Sequence, residues 1–337
     1  MRILGPGDIV GLVNSTYAAD LFVAVVTEFD LFTRLAERES ATARQLSELL
    51  EIDERAADVT LTYLVALGLL RRLPDGAVQP AEPATRYLKA GASVDLRHYA
   101  GSVSNRPGVR EVVQVLRTGR PAPWEGEGGD WLDRMAENDF ADTFSAAMNA
   151  RGVYLSPALA EALGEIGRPD KILDIGGSSG VYACSLVEAL PGTSAAVLDL
   201  PSVVDVSRES IAARGLSDRV DVIAGDMFGD LPPGFDLHLY SNVWHDWDPR
   251  AIAKLAAASF AALPPGGVLV DHDMHLDDTK SGPLRQAEFS VRMMLMTTGK
   301  CYSTPELAEI LVPIGFEDVH LRPTTAGYSV VVARKPA

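Results

Sequence analysis

Cysteine is nearly missing from this chain of 337 residues, with Cys184 and Cys301 the whole supply. Two thiols cannot staple a fold of that length, which excludes a disulfide scaffold and predicts a reducing compartment. Basic residues are short as well: 30 Lys and Arg stand against 46 Asp and Glu, a net charge of −16. Nucleic-acid binding depends on cations that neutralise phosphates, and this balance argues against it. No uninterrupted apolar run reaches the roughly 18 residues of a membrane helix. The opening MRILGPGDIV has neither the basic nor the apolar region of a secretory leader. A cytoplasmic protein without membrane contact is expected, and its acidic surface is compatible with a cationic ligand.

What is present supports two sizeable buried cores, since 47% of the residues are hydrophobic. Residues 8–28 carry Leu12, Leu21, Phe22 and Val25 at helical spacing. Helical runs follow, with cap candidates at Ser40 and Asp53, and Gly68 ends the last of them. Residues 69–73, the turn Pro74–Asp75–Gly76 and residues 77–79 then read as a small hairpin. That order predicts a winged helix-turn-helix. DNA readout would need a basic second helix, whereas 54–70 holds only Arg55 against Glu54 and Asp58 and is otherwise apolar. A buried dimerisation or lid helix fits better than a transcription regulator. Residues 101–130 read as a loose connector, marked by Arg106–Pro107–Gly108 and PAPWEGEGGD. Helices are predicted at 131–154, with Phe140, Phe144 and Met148 on one face, and at 157–163.

From Lys171 onward the pattern alternates. KILDI, SAAVLDL, VDVIAGD, FDLHLYSNV and GVLVDHD read as strands, with helices over 181–190, 203–214 and 250–263. This predicts an α/β fold, a parallel, doubly wound, Rossmann-like sheet. Segments 316–321 and 328–333 flank a turn and suggest an antiparallel hairpin at the sheet edge. The expected division is a dimerisation domain over 1–100, a helical connector over 101–165 that contributes to an acceptor pocket, and a catalytic domain over 166–337.

The chemistry gathers at strand ends. LDIGGSSG, residues 173–180, sits at the first strand-to-helix turn, where ligands of doubly wound sheets bind. A dinucleotide cradle needs G-x-G-x-x-G, but Gly176 is followed by Ser178 and Val181 where the later glycines would fall. The second strand ends at Asp199, where a carboxylate can accept from both hydroxyls of a ribose. The third ends at Asp226 and Met227, an acceptor for an adenine amino group beside an apolar plate. An adenosyl ligand without phosphates points to S-adenosylmethionine.

Taken in order, LDIGGSSG, VLDLP, GDMF, NVWHDWD, LPPGG and the closing hairpin resemble the S-adenosylmethionine-dependent methyltransferases of the plant caffeate and isoflavone O-methyltransferase type. Their actinobacterial natural-product tailoring relatives share the pattern, and the likeness covers nearly the whole chain. It implies methyl transfer to a small-molecule acceptor and a homodimer built through the N-terminal winged-helix domain. It also implies a cofactor site at Gly176, Ser178, Gly180, Asp199, Leu200, Asp226 and Met227, flanked by Ser241 and Trp247. His245 falls on the family's catalytic base and Asp273 on the carboxylate that orients it, one methylene shorter than the usual Glu. An imidazole with a pKa near 6.5 suits deprotonation of a phenol or enol at neutral pH. Three departures stand out: Ser178 for a glycine, Cys301 for a second acidic partner of the base, and the run Asp271–His275, rich in metal-ligand types.

That run supports an alternative reading. His245, Asp246 and His272 could hold a divalent metal on an α-keto acid and direct methylation to carbon. Strand alternation sets His272 on the face opposite Asp271 and Asp273, which counts against it. Arg151 or Arg292 could pair with a substrate carboxylate, and Met148, Met293, Met294 and Met296 could line an adaptable acceptor pocket. His238 reads as a core residue. A relative that binds the cofactor without methylating is a further alternative.

Overall fold

The structure, a computed structural model, describes residues 4–122 and 138–337. The chain divides into two compact units, one of Ile9–Pro123 with Leu276–Ser303, the other of Met1–Asp8, Trp124–His275 and Thr304–Ala337. The boundaries therefore cut across the consecutive segments that the sequence suggests.

In the helical unit, the expected apolar helix over 8–28 is broken at Ser15–Tyr17 into Pro6–Asn14 and Ala18–Thr27. Residues 6–27 are apolar and long enough to cross a membrane by composition, but Leu21, Val25 and Val26 of the second piece lie in the core. Leu12, by contrast, is exposed. The helix Ala43–Leu50 starts not at Ser40 but at Thr42, whose hydroxyl accepts from Gln45 N in a reciprocal capping box. Asp53 caps Glu54–Ala66 as its sequence position predicts, accepting from Ala56 N at 3.0 Å. Strands β1 (Leu70–Arg72) and β2 (Val78–Pro80) pair antiparallel, forming the expected hairpin. The loose connector is in part a helix, Pro107–Thr118, with Val109, Val112, Val115 and Leu116 buried. Pro107 in its first turn and Gly119 at φ 65° beyond its end are the start and stop signals that mark it. Residues 123–130 of that connector and 131–137 of the following helix lie outside the described residues, as do the side chains of Phe140 and Phe144.

Two polar contacts decide what the helix Glu54–Ala66 does. Arg55 donates to the carbonyls of Met294 at 3.3 Å, Thr297 at 3.1 Å, Gly299 at 2.7 Å and Gly119 at 2.9 Å. The helix's single cation thus ties down the end of the helix Leu284–Met296, and is not presented to a phosphate backbone. Asp58 accepts from both Lys280 and Lys300, at 2.5 and 2.6 Å. Burial works to raise the Asp58 pKa, yet the two ammonium groups outweigh it and hold the carboxyl at about 2, below the usual 3.8. A depressed native pKa stabilises the fold above pH 3.8, and that contribution disappears as pH falls through about 2. Thermal unfolding of wild type and Asp58→Asn should therefore differ most above pH 4 and converge toward pH 2. A gap independent of pH would refute the assignment.

The other unit is built on a seven-stranded sheet. Its strands are β3 (Lys171–Ile175), β4 (Ser194–Asp199), β5 (Val220–Ala224), β6 (Leu237–Ser241), β7 (Val268–Asp273), β8 (Glu317–Pro323) and β9 (Ser329–Arg334). The order is β5-β4-β3-β6-β7-β9-β8, parallel through β7, with β9 antiparallel to β7 and β8 outermost. The expected edge hairpin is thus present. β3 and β4 are near-continuous apolar runs and β6 is buried at every position, because helices cover both faces of a parallel sheet. After β5 the chain returns to the far side of β3, creating a switch point between β3 and β6 where a ligand crevice forms. One helix, Asn138–Ile166, runs through Pro157 without stopping, so 157–163 is not a separate element. The proline sits on the exposed side, where solvent can serve the carbonyl it leaves unbonded.

Candidate active site

A cavity of about 240 Å³ opens at the carboxyl ends of β3 through β6. The β3 loop supplies one wall, Gly176 to Ser179. Gly176 adopts φ 70°, which a residue without a Cβ reaches at no steric cost. At Gly177 a Cβ would lie 2.6 Å from the Asp174 carboxyl carbon. That carboxyl, pushed up to about 7 by burial, accepts from Ala183 N at 3.3 Å and braces the loop from beneath. Sequence reasoning passed over Asp174, although the signal was there: an acid in an otherwise apolar strand must be doing structural or chemical work.

The other strand ends complete the wall. Asp199 closes β4; its carboxylate accepts from Ser178 N at 2.8 Å and Leu200 N at 2.7 Å. Burial raises its pKa and these two amides oppose the shift. Asp226 and Met227 follow β5, with Asp226 accepting from Phe228 N at 2.9 Å. Phe228 meets Trp247 edge to face, ring centroids 4.8 Å apart. Ser241, Asn242 and Val243 follow β6. Every expected cofactor residue except Gly180 lines this cavity. Gly180 instead lets the next helix approach, since a Cβ there would press on Ile211 and Val197 at 3.1 Å.

The groups present suit an adenosyl ligand with a charged amino-acid tail. Asp199 offers acceptor oxygens for vicinal hydroxyls, Met227 and Phe228 offer apolar surface for a base, and Arg151 offers a cation. Arg151 Nε and Asn242 Oδ1, both on lining residues, are buried without a partner among the described residues, as expected of groups that await a ligand.

Beside the cavity lies a buried His–Asp pair. His245 occupies the single turn Trp244–Asp246, and Asp246 and Trp247 line the cavity. Both carboxylate oxygens of Asp273, at the end of β7, are 2.7 Å from His245 Nδ1. A carboxylate only accepts, so Nδ1 carries the proton and, in the neutral ring, Nε2 carries the lone pair. Nε2 is 3.5 Å from Asp246 Oδ1. Burial alone would lower the His245 pKa, but Asp273 and Asp246 outweigh it and raise it above 6.5. Asp273 moves the other way: burial opposes ionisation, yet His245 holds the carboxyl at about 2.

The metal reading finds no support on the same strand. Among the described residues no group of three His, Cys, Asp or Glu side chains is arranged to hold a metal ion. His272 points away from its neighbours Asp271 and Asp273, because successive side chains of a strand alternate. Its Nδ1 is 2.8 Å from Ser241 Oγ, and its ring packs against Tyr182 and Tyr328. Burial pushes its pKa down to about 3, so it stays neutral. His275, unassigned in the sequence, pairs with Asp271 at 2.9 Å. His238 is the core residue expected, bonded to Ser259 Oγ at 3.1 Å.

Of the acceptor candidates, Met148 and Arg151 line the cavity, with Arg151 Nη2 3.0 Å from Met148 Sδ. Burial disfavours the Arg151 charge, but Tyr328, Tyr182, Asp273 and Asp246 raise its pKa and keep it cationic. Arg292, Met293, Met294 and Met296 lie on Leu284–Met296 in the helical unit; Met293 and Met294 are buried and Arg292 donates to Asn14 Oδ1 at 3.1 Å. Cys301 is buried in that unit, its amide donating to Ser290 Oγ.

Residues 114–317 match the family profile of the O-methyltransferase domain. The chain is 32% identical to the 3-hydroxy-5-methyl-1-naphthoate 3-O-methyltransferase of Streptomyces sahachiroi, over 91% of this chain and 88% of that one. It is 29% identical to the tetracenomycin polyketide synthesis 8-O-methyl transferase of Streptomyces glaucescens, over 99% and 98%. Among solved structures, it is similar to an O-methyltransferase family 2 protein from Planctomyces limnophilus in complex with apigenin, at a TM-score of 0.87 and 26% identity, covering 99% and 97% of the two chains.

Proposed function

The chain belongs to the O-methyltransferase family, and from that premise we propose that it methylates the hydroxyl of a small phenolic or enolic acceptor, with His245 as general base. The observation that carries this reading is the buried His245–Asp273 pair, set beside a cavity whose walls suit an adenosyl ligand. S-adenosylmethionine, when bound, supplies a methyl group on a sulfonium, open to in-line displacement by oxygen. Asp199 would hold the ribose, Met227 and Asp226 the adenine, and Arg151 a carboxylate within the cavity. Asp273 keeps the His245 ring in one tautomer and orientation. Nε2 takes the proton of the acceptor hydroxyl, and the carboxylates of Asp273 and Asp246 stabilise the imidazolium that results.

A raised His245 pKa brings the base closer to a phenol, whose pKa is about 10, but leaves less free base at neutral pH. Turnover should therefore rise with pH through a midpoint above 6.5. Asp273→Asn removes the larger of the charges that hold the proton, so its midpoint should move to lower pH while turnover falls. A midpoint that stays put would show that another group titrates.

The named relatives act on a hydroxynaphthoate and a tetracenomycin polyketide, so the first acceptors to test are polycyclic phenols with and without a carboxylate. Enzyme, methyl-labelled S-adenosylmethionine and this panel should give an O-methyl ether with S-adenosylhomocysteine. Cofactor binding without transfer to any phenol or enol would sink the proposal, and a label on carbon would reassign the reacting atom. A homodimer through the helical unit is proposed alongside it. Its support is the family resemblance and the exposure of Ile9, Leu12 and Val13, each more than half accessible, on one helix. Light scattering should give twice the mass of the chain; a monomer at micromolar concentration would reject it.

A further inference from the structure

Ser178 takes a left-handed φ of 49°, a region that disfavours any residue with a Cβ. Glycine would fill that position without strain. Each polar group of the serine is nonetheless engaged. Its amide donates to Asp199 at 2.8 Å, its carbonyl accepts from Ser207 Oγ at 2.5 Å, and its hydroxyl donates to Ser145 Oγ at 3.1 Å. Ser145 stands on the helix Asn138–Ile166. One turn on, Asn149 Oδ1 accepts from Ser179 Oγ at 3.2 Å and from Arg214 Nη2 at 2.9 Å, Arg214 lying just past the helix Val204–Ala213. Further along, Gly152 is in such close approach that a Cβ would collide with Val181. Ser145, Asn149 and Gly152 follow i, i+4, i+7 spacing and form one helix face. Ser145 and Asn149 do not line the cavity themselves, whereas Met148 and Arg151 of the same turns do.

We propose that Ser145 and Asn149 are positioning residues that clamp the long helix to the β3 loop through Ser178 and Ser179, holding Met148 and Arg151 in place at the cofactor cavity. The inference rests on assigning that cavity to S-adenosylmethionine. The strain of a left-handed serine is the cost of a hydroxyl that a glycine could not supply, and the return is a cavity wall organised before the ligand arrives.

The test is calorimetric titration of S-adenosylhomocysteine into wild type, Ser145→Ala, Ser178→Gly and the double variant, with a thermal melt of each unliganded protein. Loss of about one net hydrogen bond predicts roughly fivefold weaker binding in each single variant. The double should be no weaker than the worse single, because both substitutions cut the same contact. Ser178→Gly should melt at or above wild type, since it sheds strain, and Ser178→Ala should melt lower because it keeps the strain and loses the hydroxyl. Wild-type affinity in both single variants, or losses that multiply in the double, would overturn the clamp. Failure of the wild type to bind at all would instead overturn the cavity assignment, and the clamp's role with it.

Discussion

Replacing His245 with alanine should lower turnover by about 10²- to 10⁴-fold, the usual contribution of a positioned general base, while S-adenosylmethionine affinity changes less than about twofold. The separation follows from where the residue sits. Its side chain is spent on Asp273 and Asp246, and the cavity walls are built by other residues. The substitution leaves the Asp273 carboxylate buried without its imidazole. The protein should therefore melt at a lower temperature as well, which is why cofactor titration must accompany the kinetics. His245→Gln keeps some polarity in the gap and should lose turnover to a similar extent with a smaller loss of stability. Turnover within about tenfold of wild type in both variants would remove His245 from the role of base, whatever happens to stability. Raising the pH should rescue them partially, because solution hydroxide can then ionise a phenol that the enzyme no longer deprotonates.

The second large effect is expected at Asp199. Alanine there should weaken S-adenosylmethionine binding by about 100-fold, from the loss of a charged acceptor that would serve two hydroxyls. The carboxylate also holds the amides of Ser178 and Leu200, so removing it loosens the β3 loop before any ligand arrives. Asp199→Asn separates the two contributions. Its amide oxygen can still accept from a loop amide, but it has no charge and only one acceptor atom, so affinity should fall by an intermediate factor. Saturating cofactor should restore much of the Asp199→Ala turnover, in contrast to His245→Ala, where it restores nothing. Equal affinity in wild type and Asp199→Ala would move the ribose elsewhere in the cavity.

The parallel sheet was readable because buried strands are short apolar runs between helices of regular length, and each run from KILDI to GVLVDHD became a strand. The pair His245–Asp273 was readable only through the motif that carries it, since the two residues lie 28 positions apart. The helix Pro107–Thr118 could have been found from its proline, its apolar spacing and its terminal glycine. Its turn-rich flanks concealed it. The continuity of Asn138–Ile166 through Pro157 could not have been read in this way, because a proline on the solvent side breaks the local rule without breaking the helix.

The sequence by itself determined which residues stand at the carboxyl ends of the strands. Strand positions and connection lengths follow from hydrophobic pattern, and that pattern sets Gly176, Asp199 and Asp226 at the carboxyl ends of successive strands. Only tertiary structure decided what the polar residues of β7 do. Asp271, His272 and Asp273 are adjacent in the chain, yet each takes a different partner: His275, Ser241 and His245. The reason is geometric. Alternation along a strand sends neighbours to opposite faces, and in a dry interior each polar group must pair with whatever the fold has placed within about 3 Å. The partners come from loops and strands whose distance in sequence says nothing about their approach in space. The clamp at Ser178 was hidden for the same reason, since it joins residues 33 positions apart.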